Sequence, residues 1–248
     1  DVRAEGRIGN IIGIPGKDLS SKSSITGKGD PGYAYAFIWS TPKLLELYEA
    51  NNDIDRCNWN IAPFTYTQSA GEGTPVDGRE FVKGKRDEVE QQYWDKSFSY
   101  GKTNPGSTSI NFPLLRYSDI LLMIAEAENE VNHGPNDLAY ECINAVRERA
   151  GISKLQENLD ETNFREAIKD ERAMELCFEY TRRFDLIRWG DYYKLMQEQV
   201  SKAQTDESWK FGINVYTYFN IPKSYNYFPI PANEIGSNGA IKTNNPGW

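Results

Sequence analysis

Between Phe112 and Val200, glycine and proline stand only where a helix would have to begin or stop: Pro113, Gly134-Pro135, Gly151 and Gly190. These two residues are the strongest breakers of a helical pattern, so their spacing divides the stretch into helices of ordinary length. Tyr117, Ile120, Leu121, Ile124 and Val131 fall on one stripe of a first helix that stops at Gly134-Pro135. Asn136 or Asp137 can cap a second, which carries Leu138, Cys142, Val146 and Ala150 and ends at Gly151. A third starts near Thr162 or Asn163, and Glu166 would close a capping box if Asn163 is the cap. Phe164, Ala167, Ile168, Met174 and Phe178 supply its apolar face. It breaks between Tyr180 and Trp189-Gly190, and another helix follows from Asp191 to about Gln199. Two helices of this length joined by a short turn match the size of a tetratricopeptide-type hairpin.

The chain on either side reads differently. Residues 1–111 hold 13 of the 20 glycines and form a loop-rich, aromatic-rich segment, against a helical region over 112–248. One short helix interrupts the loops: Thr41 can cap it, Pro42 suits its first position, and Leu44, Leu45, Leu47 and Tyr48 give it an apolar side. Short strands are predicted at Tyr33–Trp39, Ile61–Thr67 and Gln92–Tyr100, where β-branched or aromatic residues cluster. The tail from Lys210 reads as extended and proline-punctuated. The fold class expected is mainly α, with long irregular loops and minor short strands, as one continuous domain. The chain begins at Asp1 without Met or a signal-like segment, which suggests a processed product or a fragment.

Scarcity excludes several chemistries. The only histidine, His133, sits in a turn-like string beside a helix end and reads as a solvated loop residue. No two of His133, Cys57, Cys142 and Cys177 lie close in sequence, so paired zinc ligands are excluded and no metal or cofactor is expected. Cys142 and Cys177 read as buried free thiols. The net charge of −8 disfavours nucleic acid, whose phosphates demand a basic face. That charge is uneven: residues 112–200 carry 18 acids against 11 bases. The longest apolar run, Ile120 to Ala125, is far too short to span a bilayer.

The densest charged string runs from Asp170 to Trp189. Glu171, Glu175 and Glu179 recur at i, i+4 and i+8, which places them on one helix ridge. Glu171 also lies between Ala167 and Met174 of the apolar face, so it is expected to be partly buried and paired. Arg182, Arg183, Arg188, Arg116 and Arg147 are available partners. Two readings compete. A glycoside hydrolase would need two carboxylates across an open cleft, about 5–5.5 or 6.5–9.5 Å apart. A structural ion-pair network of Glu171, Glu175, Glu179, Arg182 and Arg188 fits three acids on one face better.

The aromatics of the loop-rich segment suggest binding. Tyr33, Tyr35, Trp39, Trp59 and Tyr66 pair flat apolar faces with polar edges, which suits stacking on sugar rings. A half-buried strand fits the alternation Tyr33-Ala34-Tyr35-Ala36-Phe37 equally well.

Four strings resemble one family. Pro113-Leu114-Leu115-Arg116-Tyr117-Ser118-Asp119 through Ala127 is similar to the LRYADVLLMYAEA helix of the SusD/RagB family. Ile143-Asn144-Ala145-Val146-Arg147-Glu148-Arg149-Ala150-Gly151 resembles its AINxVRxRAG helix. The stretch from Phe164 through Asp170-Glu171-Arg172 to Phe184-Asp185-Leu186-Ile187-Arg188-Trp189-Gly190 resembles its most telling signature. Pro229-Ile230-Pro231, Glu234-Ile235 and Asn244-Asn245-Pro246-Gly247-Trp248 resemble its ending. The resemblance implies a SusD-like α-helical fold with tetratricopeptide-like hairpins under an irregular ligand face. It further implies a non-enzymatic, surface-exposed outer-membrane lipoprotein that binds a glycan or other nutrient and works with a SusC-like TonB-dependent transporter. Membrane association would then come through a lipid anchor absent from this chain. Family members are longer, so the chain would represent the family's C-terminal portion, with ligand contacts carried over to Tyr33, Tyr35 and Trp39. A helical-repeat adaptor without a small ligand is the remaining alternative.

Overall fold

The computed structural model describes residues 40–66, 73–81, 113–205 and 219–248. The chain divides into two compact units, residues 1–179 and 180–248. In the first, the described elements are helices α1 (Pro42–Ala50) and α2 (Ile54–Asn60), strands β1 (Ile61–Tyr66) and β2 (Gly73–Phe81), and helices α3 (Tyr117–Val131), α4 (Asp137–Arg149) and α5 (Glu161–Glu175). In the second they are α6 (Arg182–Arg188), α7 (Tyr192–Thr205), a 3-10 turn over Lys223–Asn226 and α8 (Ala232–Ser237).

Helices α3 and α4 form the expected hairpin, and α5 packs on it. Leu122 and Ala125 of α3, Ala139, Cys142, Ile143 and Val146 of α4, and Phe164 and Ile168 of α5 make one buried cluster. The Tyr140 ring meets Phe164 edge-on at 5.0 Å, and its hydroxyl accepts from the Leu159 N–H at 2.9 Å. The buried face of α3 differs from the predicted stripe. Tyr117 and Val131 are 75% and 77% exposed, while Leu122, Ala125 and Asn129 turn inward. Asn129 is a core residue because its amide donates to the Glu161 carbonyl at 3.0 Å. The inward face of α3 therefore includes a small residue and an amide, which an apolar count passes over. On α4 the predicted Leu138 is likewise exposed, and Ala139 and Ile143 are buried in its neighbourhood.

The helix ends follow local chemistry. Asn136 caps α4 through the Ala139 N–H. Asp160, and not Thr162 or Asn163, caps α5, accepting from the Asn163 N–H at 2.8 Å while the Asn163 amide donates back to it. Gly151 ends α4 at φ +77°: its N–H bonds the Glu148 carbonyl and the Ile152 N–H bonds the Arg147 carbonyl. This is the glycine-terminated turn that satisfies the last carbonyls of a helix. After α3 the left-handed position belongs to His133, at φ +52°, one residue before the predicted glycine stop. Helix α5 ends at Glu175, earlier than predicted, and Phe178 and Tyr180 turn the chain with positive φ.

Helix α1 spans the predicted residues, with Pro42 at its start and Leu47 and Tyr48 buried. Thr41 precedes it without a side-chain capping bond. Helix α2 was not predicted, because its sequence has no apolar period. Among the described residues the strands are one antiparallel pair, in which Ile61 faces Phe81 and Tyr66 faces Gly73, with an irregularity between Ala62 and Phe64. The predicted Ile61 strand is therefore present, β2 lies where the sequence predicts loop, and Tyr33–Trp39 and Gln92–Tyr100 lie outside the described residues. In the second unit the tail is less extended than expected, since it includes the 3-10 turn and α8. Its end folds back: the Asn245 amide donates to the Phe228 carbonyl and the Trp248 indole N–H to those of Ser224 and Tyr227.

Candidate functional site

The first unit is organised around buried charge. Helix α5 carries Glu171 and Glu175 one turn apart on the side that also buries Met174. Glu171 has no exposed surface. A carboxylate there is tolerated only if paired and hydrogen-bonded, and this one is. Arg56 Nη1 donates to its Oε1 at 2.7 Å, and Arg147 Nη1 to its Oε2 at 2.9 Å. Glu175 receives Arg56 at 3.0 Å, Arg149 at 2.5 Å and Arg116. Arg116 also donates to the Glu175 main-chain carbonyl and to Glu179 Oε2 at 2.8 Å. One guanidinium thus satisfies both a side chain and a terminal carbonyl of α5. Glu179 lies beyond the helix end, so the three glutamates do not share one helix ridge as predicted. They are joined through Arg116 and Arg56.

Arg56 brings α2 into this cluster. Its Nε donates to Asp53 at 2.5 Å, while Asp53 accepts from the Arg56 main-chain N–H and so caps α2. Arg147 reaches the preceding turn as well, donating to Asn51 Oδ1 at 3.2 Å. Beside the charges, the Tyr48 hydroxyl donates to the Met174 carbonyl at 2.7 Å and accepts from the Asn60 amide at 2.9 Å. Leu47, Tyr48, Ile61 and Met174 close the apolar side. Burial pushes the Tyr48 phenol far above its ordinary range, with Cys177 adding to the shift. Burial also pushes the Glu175 carboxyl up, but Arg116, Arg149 and Arg56 outweigh it and hold it below the usual carboxylate range.

The predicted partners divide. Arg116 and Arg147 pair with the glutamates as the sequence predicts, whereas it does not point to Arg56, Asp53 or Arg149. Asp53 and Arg56 at i and i+3 before an otherwise polar helix were the available signal. Arg188 pairs with Asp185 at 3.0 Å, and the Arg182 guanidinium lies over the Trp189 ring at 5.5 Å. Arg183 lies over Phe228 at 4.6 Å.

Of the aromatic candidates, Trp59 stands on α2 one turn beyond Arg56 and is 36% exposed. Tyr66 ends β1. Tyr33, Tyr35 and Trp39 lie outside the described residues. The α1–α2–β1 segment therefore carries two of the five, on a base tied to α5 by ion pairs and to α4 by the Arg147–Asn51 hydrogen bond.

The chemistry of the cluster is holding, not turnover. Glu171 and Glu175 present almost no surface, and their oxygens are occupied by guanidinium groups, so neither reaches a glycosidic oxygen across a cleft. Cys57, Cys142 and Cys177 are free thiols. Burial raises the first two above their ordinary range, with Asp53 and Glu49 adding at Cys57 and Glu141 and Glu128 at Cys142, which keeps both protonated. His133, 85% exposed, is 3.8 Å from Glu161. Among the described residues no group of three or more His, Cys, Asp or Glu is placed to hold a metal, and no helix is long and apolar enough to cross a membrane.

Comparison with known proteins places this architecture. The model of the SusD family matches residues 13–248. SusD-like protein P25 of Formosa agariphila is 38% identical over 136 residues, covering 54% of this chain and 23% of its own length. The crystal structure of a SusD homolog from Bacteroides thetaiotaomicron matches with a TM-score of 0.69 at 28% identity, over 98% of this chain and 48% of its own. A laminarin binding SusD-like protein matches with a TM-score of 0.58 at 22% identity, over 98% and 44%, a likeness of fold alone. The chain spans less than half the length of these relatives. Its mainly α, tetratricopeptide-like packing is the SusD-like arrangement.

Proposed function

The chain belongs to the SusD family, and from that premise we propose that it serves as a surface nutrient-binding protein whose ligand is a glycan. The loop-rich segment supplies the ligand face, and the helices supply the frame. One observation carries this reading: Trp59 is 36% exposed on α2, the helix that Arg56 anchors to Glu171 and Glu175. A flat ring open to water on an anchored helix suits stacking on a sugar, because the backbone that carries it needs little further ordering on binding. Trp39, Tyr33, Tyr35 and Tyr66 complete the aromatic set, with amide and guanidinium groups holding hydroxyls.

The bound glycan passes to a SusC-like TonB-dependent transporter, and the protein stands on the outer face of the outer membrane. Family membership supports both statements. The neighbour named for laminarin makes that glycan the first to try. The test is a glycan array probed with this chain, followed by calorimetry on the best ligand. Saturable binding that weakens at least tenfold in Trp39→Ala and Trp59→Ala is expected, each tenfold corresponding to about 1.4 kcal/mol. Binding to no glycan would overturn the reading. Release of reducing ends from the bound glycan, abolished by Glu171→Gln, would replace it with hydrolysis.

A further inference from the structure

We infer that Arg56 is the positioning residue of the ligand segment: it acts through α2 on Trp59 and couples that ring to the buried carboxylates of α5. This inference rests on the glycan-binding reading above. The described part of the segment, residues 40–66, contains two basic residues, Lys43 and Arg56, and only Arg56 is buried. Its guanidinium spans three carboxylates, Asp53 beneath its own helix and Glu171 and Glu175 on α5, at 2.5, 2.7 and 3.0 Å. The two bonds to α5 cross more than a hundred residues of chain, so they fix tertiary placement. Other ties of the segment to the frame, among the described residues, are of a different kind. Tyr48 of α1 bonds the Met174 carbonyl and meets Cys177 Sγ, and Arg147 reaches Asn51 in the turn before α2. Asn60 reaches only Tyr48, within the segment itself. Arg56 is therefore the charged link that leaves α2 directly for α5. It lies one helical turn before Trp59 on the same short helix, so where Arg56 holds α2 decides where Trp59 stands.

The fork geometry matters as much as the charge. A lysine ammonium carries its three donors on one nitrogen and so does not reproduce the spread, planar fork with which the guanidinium meets Asp53 and both glutamates. Arg56→Lys keeps the charge balance of the cluster and removes the bridge. A supporting contact of this kind sets how tightly a site is preorganised without touching the ligand.

The experiment compares Arg56→Lys with Ile143→Val, a core change among α3, α4 and α5 that lies in the other apolar cluster. Each chain is read by amide hydrogen exchange without ligand and by calorimetry with laminarin or the best array ligand. Arg56→Lys is expected to speed exchange across α2, leave α3 and α4 protected, and weaken glycan binding by about tenfold, the lower end of what loss of an outer supporting contact costs at metal sites. Ile143→Val is expected to leave exchange in α2 and glycan affinity unchanged. Equal effects of the two variants on α2 exchange would overturn the inference, since Arg56 would then contribute only general stability. Faster α2 exchange with unchanged affinity would overturn it too. If the unsubstituted chain binds no glycan, the binding reading fails, and exchange still decides whether Arg56 holds α2. Should Arg56→Lys fold poorly, Arg56→Gln paired with Glu171→Gln lowers both charges together and is held to the same two readouts.

Discussion

At the residue scale, the buried glutamates show how sequence type and tertiary partner combine. Glu171 fell between apolar positions of its helix, so its burial was legible, and its pairing followed from the cost of an unpaired buried charge. Arg56, its partner 115 residues away, was not, because local spacing carries no information about so distant a contact. Replacing Glu171 with Gln leaves Arg56 and Arg147 facing each other without their shared counter-charge, and should cost about 3–5 kcal/mol of stability in denaturant unfolding. A smaller effect of opposite sign is expected at His133. It occupies a left-handed position that glycine adopts freely, so His133→Gly should stabilise by up to about 1 kcal/mol, read as a raised thermal midpoint.

At the scale of elements, glycine and proline spacing located α3 and α4 well, because helix ends are decided by a few local residues. The inward face of α3 was less legible, since an amide and an alanine take positions that an apolar count assigns elsewhere. Helix α2 was missed altogether: its sequence is polar, and it forms because Asp53 caps it and Arg56 draws it onto α5. Residue type alone makes Trp59 a candidate and gives no sign of the helix beneath it. Phe164 is fully buried in the cluster where α3, α4 and α5 meet. Phe164→Ala should cost about 3–5 kcal/mol, read in the denaturation midpoint. Gly151→Ala should cost about 1–2 kcal/mol, because its φ of +77° suits no side chain although nothing lies closer than 3.9 Å to the added carbon.

At the scale of the molecule, the paired carboxylates make stability depend on acid. The folded-state pKa of Glu175 lies below its ordinary value of 4.5, so the unfolded chain takes up protons first as pH falls. Its contribution is complete above that ordinary value and disappears as pH drops through the lowered one. Glu130, held low chiefly by its hydrogen bonds from Arg165, acts in the same direction but is more exposed and counts for less. The denaturation midpoint should therefore stay level from neutral pH down to about pH 5 and fall steeply below it. A fall beginning near neutrality would point to other groups. The same buried charges tie α2, which carries Trp59, to α5, and ligand binding tests the proposed site most directly. Calorimetric titration of the chain and its Trp59→Ala variant with laminarin, or the best array ligand, should give a saturable isotherm for the first and at least tenfold weaker binding for the second. Identical isotherms would contradict the assignment of the site to α2, and no saturable heat for either chain would contradict the glycan-binding account itself.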